Sequence, residues 1–372
     1  MTAPADVAIV GAGPVGLLTA VLLAGAGIDV VVRERRDRPA GIPRAIGIHP
    51  PGLAALDLAR VGDAVRDAAA PIRGGVALCR GRVLGRVRFP DPVLSLPQHR
   101  TEALLEARLA ALAPSALRRS RAVARLREAG DRVELELDDG DTIAARYVVA
   151  ADGVRSTARR DLALGFAPRR GLADYVMADD AASEHSDAEA AIHLEPAGVV
   201  ESFPMPGGVR RWVIRVPRDA AAADRDAFSA LLRERLGVRI PPRRLTEPSG
   251  FTARQHVSAG FARGRVALAG DAAHEISPIG GQGMNLGWAD AVDLAATILR
   301  ALEAGAPAAP FAAYERRRRR AAERAARRAA FNMAMGAPAS GLSHVARDAA
   351  VRLLAAPPAR TALARVFTMH GL

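Results

Sequence analysis

The sequence predicts an α/β protein in which a domain built on parallel strands is interrupted by an antiparallel sheet. Three observations carry that prediction. A strand, glycine turn, helix and second strand open the chain between Val7 and Glu34. A further strand begins at Arg265 and runs through a glycine loop into a helix, and residues 166–255 alternate polar and apolar positions with period two. The chain has 372 residues, 50% hydrophobic and 25% charged, with mean hydropathy +0.06. That balance belongs to a globular protein with a large core. The apolar run from Val7 to Val32 is long enough for a membrane span, but it holds five glycines, Pro14 and Asp29. It reads as part of the fold. No charged leader with a cleavage site precedes it, so a cytoplasmic location without stable membrane insertion is expected.

Val7–Val10 is a short apolar strand, Leu17–Ala26 a buried helix closed by Gly27, and Asp29–Arg33 a strand ending at Glu34. An amphipathic helix is expected near residues 52–69, strands across 76–89, and a helix over 101–113 with Thr101 as its N-cap. Alternation in Arg132–Leu137, the turn signal Asp139-Gly140 and the run Thr142–Tyr147 make a hairpin. Tyr147–Ala151 is a buried strand that ends at Asp152-Gly153. Pro204–Gly208 marks another hairpin inside the antiparallel region. Arg265–Gly270 is a buried strand, Asp290–Leu302 a helix, and the Ala/Arg-rich tail from Pro338 is helical.

Absences narrow the chemistry. There is no lysine, so all 52 basic residues are arginine. A P-loop and a Schiff-base amine are therefore excluded. The single cysteine, Cys79, leaves no disulfide framework, Cys-rich zinc site or dithiol pair, and no metal centre is expected. Any redox chemistry must run on a bound cofactor. The net charge is +12 and the isoelectric point near 11.2; residues 315–328, with eight Arg and two Glu, supply half of that excess. This stretch reads as a solvated helix face. Aromatic residues are 4% of the chain and none interleaves with these arginines, so no nucleic-acid partner is expected.

The strongest pattern is Gly11-Ala12-Gly13-Pro14-Val15-Gly16 followed by Glu34, 18 residues past Gly16. Gly11 permits a tight turn, Gly13 lets a pyrophosphate approach the backbone, and Gly16 lets helix and strand pack closely. The helix N-terminus attracts the phosphate charge. Glu34, with Arg35 beside it, is placed to accept hydrogen bonds from ribose hydroxyls, which disfavours a 2′-phosphate. The nucleotide is the adenosine of FAD or NAD. Gly270-Asp271 and the loop Pro278-Ile-Gly280-Gly281-Gln282-Gly283-Met284-Asn285 decide between them, because a dinucleotide dehydrogenase has no use for a second such unit and an extended FAD does. Asp271 is expected on the ribityl hydroxyls. The loop lays N–H groups and a helix dipole against the ring end, where reduced flavin carries negative charge. A third acid, Asp152 in Asp152-Gly153-Val-Arg155-Ser156, leaves another buried strand.

In this order the three motifs resemble those of the class A flavin-dependent aromatic monooxygenases, the p-hydroxybenzoate and salicylate hydroxylase family, over about residues 5–330. The resemblance implies a Rossmann-like FAD-binding domain of the glutathione-reductase type (1–75, 95–165 and 256–335) with an inserted substrate-binding sheet (76–94 and 166–255) and a helical segment at 336–372. It also implies that Arg44 reaches the cofactor phosphates, that Gln98 and Arg100 bind cofactor before a helix, and that Val123 meets adenine through its backbone. Asp152 would serve flavin and nicotinamide, and Pro278 would border the substrate. The implied reaction takes a hydride from transient NAD(P)H, forms a flavin C4a-hydroperoxide with O2, and hydroxylates a phenolic or polyketide-like ring. No side-chain nucleophile is required. Larger relatives carry a thioredoxin-like C-terminal domain, and the compact form is expected here. Halogenases of the same fold need a lysine and are excluded. Alkene epoxidases, prenyl-chain reductases and prenyl-binding proteins of this fold stay open as alternatives. Phe203 and Trp212 flank the Pro204–Gly208 turn and either line an aromatic pocket or fill the core. His274 reads as loop packing, and His49, His193 and His256 as structural or exposed.

Overall fold

The computed structural model describes residues 4–39, 46–182, 188–218 and 224–369. Its first sheet is parallel at the centre. Strand Ala5–Val10 lies between Val30–Arg33 and Thr142–Ala150; Val266–Leu268 adds beyond the latter and Leu117–Arg118 beyond the former. Val7, Ala8, Ile9, Val148 and Val149 are fully buried, because helices and loops cover both faces and leave no polar side. Helix Pro14–Gly25 likewise has no solvated stripe and packs against helices Gln98–Leu112 and Gln282–Glu303. The strands end together at Val10, Arg33, Ala150 and Leu268. Parallel sheets place ligands outside such an edge.

A second sheet runs Ser249–Ala253, Ala173–Asp180, Arg210–Val216, Gly198–Pro204, Glu189–Glu195, Ala70–Cys79, Arg82–Ser95 and Gly47–Ile48. It is not purely antiparallel: Glu189–Glu195 and Ala70–Cys79 pair in parallel. Its strands also reach further back in the chain than position 76, to Ala70 and to Gly47. One face is covered by helix Arg225–Leu236, with Phe228 and Leu232 packed on Val200, Trp212 and Ile214. The opposite face carries Tyr175, Met177, Val199 and Val213 and meets Ile279 and Met333. Both expected hairpins form, at Asp139-Gly140 and at Met205–Gly208.

Several local expectations change. The helix expected near 52–69 is two, Pro50–Leu58 and Gly62–Ala68, separated where Arg60 takes a positive φ of 58°. The helix expected from Thr101 starts at Gln98 behind Pro97, and Thr101 is buried within it rather than capping it. Proline fixes its own φ and supplies the stop that a hydroxyl was expected to give. Helix Arg225–Leu236 was not expected in the strand-rich region, although Asp224 caps it (Oδ1 accepts from the Ala227 N–H, 2.8 Å) and Gly237 closes it with φ of 71°. The arginine-rich helix, Ala312–Met335, is not a simple solvated face. Arg318 is buried and pairs with Asp290, Arg317 pairs with Asp293, and Glu323 holds Arg169. Two further helices, Gly341–Ala355 and Ala359–Phe367, form the tail. Among the described residues no helix is long and apolar enough to cross a membrane.

Candidate active site

The edge where the parallel strands end opens into a cleft of about 390 Å³. Its walls include Gly11, Gly13, Pro14 and Val15 from the first motif, Asp152 and Gly153 from the second, and Gly270, Asp271, Gly281, Gly283 and Met284 from the third. Glu34, Arg35, Gln98, Val123 and Pro278 complete the set of expected residues that meet there. Segments distant in sequence converge because each follows a strand of one parallel sheet.

The turn at the first motif is held by its own acid. Glu34 is buried; Oε2 accepts from the Ala12 N–H at 2.8 Å, and Oε1 accepts from the Arg36 N–H and Nε, both at 2.9 Å. Burial pushes the Glu34 carboxyl up, but the Arg36 guanidinium and the Ala12 and Arg36 amides outweigh it and leave it below the usual glutamate range. Oε1 is filled by its two donors, and Oε2, with one, keeps lone-pair capacity toward a ligand. Gly16 does not line the cleft; a Cβ there would stand 2.0 Å from the Gly11 carbonyl oxygen, so its part is close packing.

Asp152 sits at the next strand end. Its Oδ2 accepts from the Thr157 and Ala158 amides at 2.7 and 3.3 Å, while Oδ1 is buried without a partner, and burial raises the carboxyl above its usual range. Arg159 ties this turn to the third motif by donating to the Val154 and Ala272 carbonyls at 2.5 and 2.8 Å. Behind the third motif lies a buried ionic cluster. Asp290 Oδ2 accepts from His274 Nε2 at 2.5 Å and from the Gly270 N–H at 3.0 Å, and Oδ1 accepts from Arg318 Nε at 2.6 Å. Burial opposes the Asp290 charge, yet His274 and Arg318 hold the carboxyl below its usual range. The histidine read as loop packing is thus a partner in the anchor of the Gly270-Asp271 turn. The helix beginning at Gln282 presents its N-terminus to the cleft, after Gly281 at φ of 67°.

Other expected residues lie elsewhere. Asn285 faces away from the cleft: its Oδ1 accepts from the His49 N–H and its Nδ2 donates to the Gly47 and Gly281 carbonyls, pinning the loop. Gln282 is buried with Oε1 unpartnered. Arg100 is exposed, its guanidinium at 3.5 Å from the Ala68 carbonyl, and is not in the wall. Arg44 lies outside the described residues. The two aromatics expected at a pocket part company. Trp212 packs under helix Arg225–Leu236 on the far face of the second sheet, whereas Phe203 is half-buried on the near face. Alternation along a strand decides this, and the turn alone could not. His49 is buried against Gly281 with its ring pushed down to about 4, and burial also takes His193 to about 4. His256 pairs with Glu275 at 2.7 Å.

Sequence reasoning missed Phe251 and Thr252, which bring the edge strand Ser249–Ala253 into the wall, and also Arg36, Glu102 and Ile276. The only signal for Phe251 and Thr252 was membership of an alternating strand. It also missed a cluster away from the cleft, where Cys79, His344 and Asp348 come together, with His344 Nε2 at 3.6 Å from both the thiol and the carboxylate. Arg347 donates to His344 Nδ1 at 3.1 Å. These contacts clasp helix Gly341–Ala355 to the end of strand Ala70–Cys79.

The glycine turns leave room for a cofactor such as FAD to approach the backbone. A Cβ at Gly13 or Gly153 would meet no protein atom within 4 Å although both line the cleft, so open space lies beside each backbone. Comparison with known proteins agrees. Residues 4–329 match the FAD binding domain family. The chain is 32% identical over 341 residues to rifampicin monooxygenase of Rhodococcus hoagii, covering 84% of this chain and 68% of that one. It is also 32% identical over 335 residues to 12-dehydrotetracycline 5-monooxygenase/anhydrotetracycline 6-monooxygenase of Streptomyces rimosus, covering 84% and 66%. The chain therefore spans about two thirds of the length of these relatives. The crystal structure of p-nitrophenol 4-monooxygenase from Pseudomonas putida DLL-E4 superposes with a TM-score of 0.89 at 27% identity, over 99% of this chain and 98% of that one. The chain belongs to the FAD binding domain family, as a flavoprotein among flavin-dependent monooxygenases and aromatic hydroxylases.

Proposed function

We propose that the protein hydroxylates an electron-rich aromatic ring with dioxygen, taking electrons from NAD(P)H that binds transiently. The observation that carries this reading is the convergence of three separated motifs on one cleft whose wall also takes in Phe251 and Thr252 from the edge strand of the second sheet. Bound FAD supplies hydride acceptance and the activation of dioxygen. The chain's own residues do the rest. Glu34, Arg35 and the Val123 backbone hold the adenosine end, and the backbone of Gly11–Val15, with the helix dipole behind it, holds the pyrophosphate. Asp271 takes the ribityl hydroxyls. Gly281–Met284 and the N-terminus of helix Gln282–Glu303 set a positive potential at the ring end, favouring the anionic reduced form. Pro278 and Phe251 border the substrate and exclude water.

The test is oxidation of NADPH and NADH in air, with and without a panel of phenols. Slow oxidation alone and a severalfold increase with a phenol, accompanied by a hydroxylated product, is the expected result. Indifference to every phenol would overturn the aromatic substrate while leaving the flavin site intact.

Glu34 gives a second expectation. Its folded-state value is depressed, so the stabilisation it gives is present above the ordinary glutamate range, about 4.3, and is lost as pH falls through the lower folded value. Flavin fluorescence, quenched in the complex, is expected to rise only below that range on acidification. Release midway between neutrality and that range would contradict a paired, depressed Glu34.

A further inference from the structure

Behind Phe251, inward of the cleft lining, the second sheet's composition departs from ordinary core. Phe251 stacks on Tyr175 with ring centroids 5.4 Å apart. Tyr175 belongs to an apolar cluster with Met177, Val199, Val213 and Ile279, and Ile279 follows the cleft residue Pro278, so this cluster abuts the glycine loop. Into it comes an acid. Glu201 pairs with Val213 on one neighbouring strand and Ile192 on the other, and directly opposed residues share a face, so its side chain joins the same cluster. Glu201 is 7% exposed, and its side chain makes no hydrogen bond or ion pair with a described residue. The Tyr175 hydroxyl, 1% exposed overall, also has no partner.

A buried carboxyl and a buried hydroxyl without partners are a standing cost to folding, and sites that bind something are where such costs persist. We propose that Glu201 and Tyr175 form the recognition pair for a phenolic hydroxyl on the aromatic substrate, Glu201 accepting a hydrogen bond from it and Tyr175 donating one to its oxygen. This rests on the aromatic hydroxylase reading. A phenol offers one donor and one acceptor, the complement of this pair, whereas its methyl ether offers no donor and leaves Glu201 buried and unpaired. Burial raises the Glu201 carboxyl to about 7, while burial and the Glu201 charge raise the Tyr175 phenol above its usual range and keep it a donor. The hydroxyl so held places its ring against Phe251 and the Pro278-Ile279 segment. A hydrogen bond to a carboxylate also pushes electron density into the ring, the direction that attack by an electrophilic oxygen needs.

The experiment uses the FAD-loaded protein and a panel of mono- to tetracyclic phenols, each with its methyl ether, and reads binding from the perturbation of flavin absorption. Wild type is compared with Glu201→Gln and Glu201→Leu. Wild type is expected to prefer phenol over ether by about tenfold or more, and both variants to lose about tenfold in phenol affinity with little change for the ether. Because a buried, unpaired acid is removed, the melting temperature of Glu201→Leu should not fall. Parallel loss of phenol and ether binding, or a lower melting temperature in both variants, would make Glu201 structural and overturn the proposal. A wild type that hydroxylates phenols without preferring them to ethers also overturns it and leaves the hydroxylase reading standing. A yellow protein that binds no phenol removes that reading and this pair together.

Discussion

Gly11→Ala is expected to give a protein that binds no FAD and is destabilised by on the order of 3 kcal/mol or more. Gly11 has φ of 101°, and a Cβ there would lie 2.4 Å from the Ala151 carbonyl oxygen, a backbone atom that cannot swing aside. Two strand ends would have to separate, and with them the first two motifs. Gly13→Ala is the informative contrast. Gly13 has an ordinary φ of −78° and a Cβ would meet no protein atom within 4 Å. That variant should melt like wild type and still lose FAD affinity by roughly 100-fold or more, equivalent to about 2.7 kcal/mol, because the added methyl occupies the approach of the pyrophosphate. Urea unfolding and flavin titration separate the two effects. Equal behaviour of the two variants in both assays would mean that the turn does not divide into a structural and a ligand-facing glycine.

Asp290→Ala is expected to cost about 3–5 kcal/mol of stability and to release flavin, though Asp290 lines no part of the cleft. Its side chain is fully buried and answers three donors, the Gly270 amide, His274 and Arg318. Removal leaves the Arg318 guanidinium, 8% exposed, without its carboxylate and frees the Gly270-Asp271 turn. Asp293→Ala, which breaks the half-exposed pair to Arg317, should cost at most about 1 kcal/mol and leave the flavin bound. The midpoint of urea unfolding, followed by flavin fluorescence and by circular dichroism, checks both. Similar losses from the two substitutions would show that the buried cluster has no special hold on the turn.

The FAD-binding half of the fold was legible because its signals are local. A short apolar strand, glycines at fixed spacing and an acid at the next strand end specify a turn by steric necessity, whatever surrounds them. The order of motifs then predicts a meeting point, since parallel strands end on one edge. What stayed hidden depends on contacts between distant segments. Nothing near Asp290 in sequence announces Arg318, and a run of arginines reads as a solvated face until one of them is seen at a buried acid. Trp212 and Phe203 look equivalent around their turn, yet strand alternation sends one under helix Arg225–Leu236 and the other toward Phe89 and the near face. Phe251 and Glu201 carried no motif at all. The helix at Arg225–Leu236 is a different case: its Asp224 cap and Gly237 stop were in the sequence, outweighed by the alternation on either side.

The most direct test of the central claim is the fate of oxygen. The FAD-loaded protein would be given NAD(P)H, a phenol that accelerates its oxidation, and isotopically labelled dioxygen in ordinary water, with the product analysed by mass spectrometry. One labelled oxygen atom in a new ring hydroxyl, in amounts that track the NAD(P)H consumed, is the predicted result. Consumption of NAD(P)H that yields only hydrogen peroxide with every phenol, or a product whose new oxygen comes from water, would contradict it.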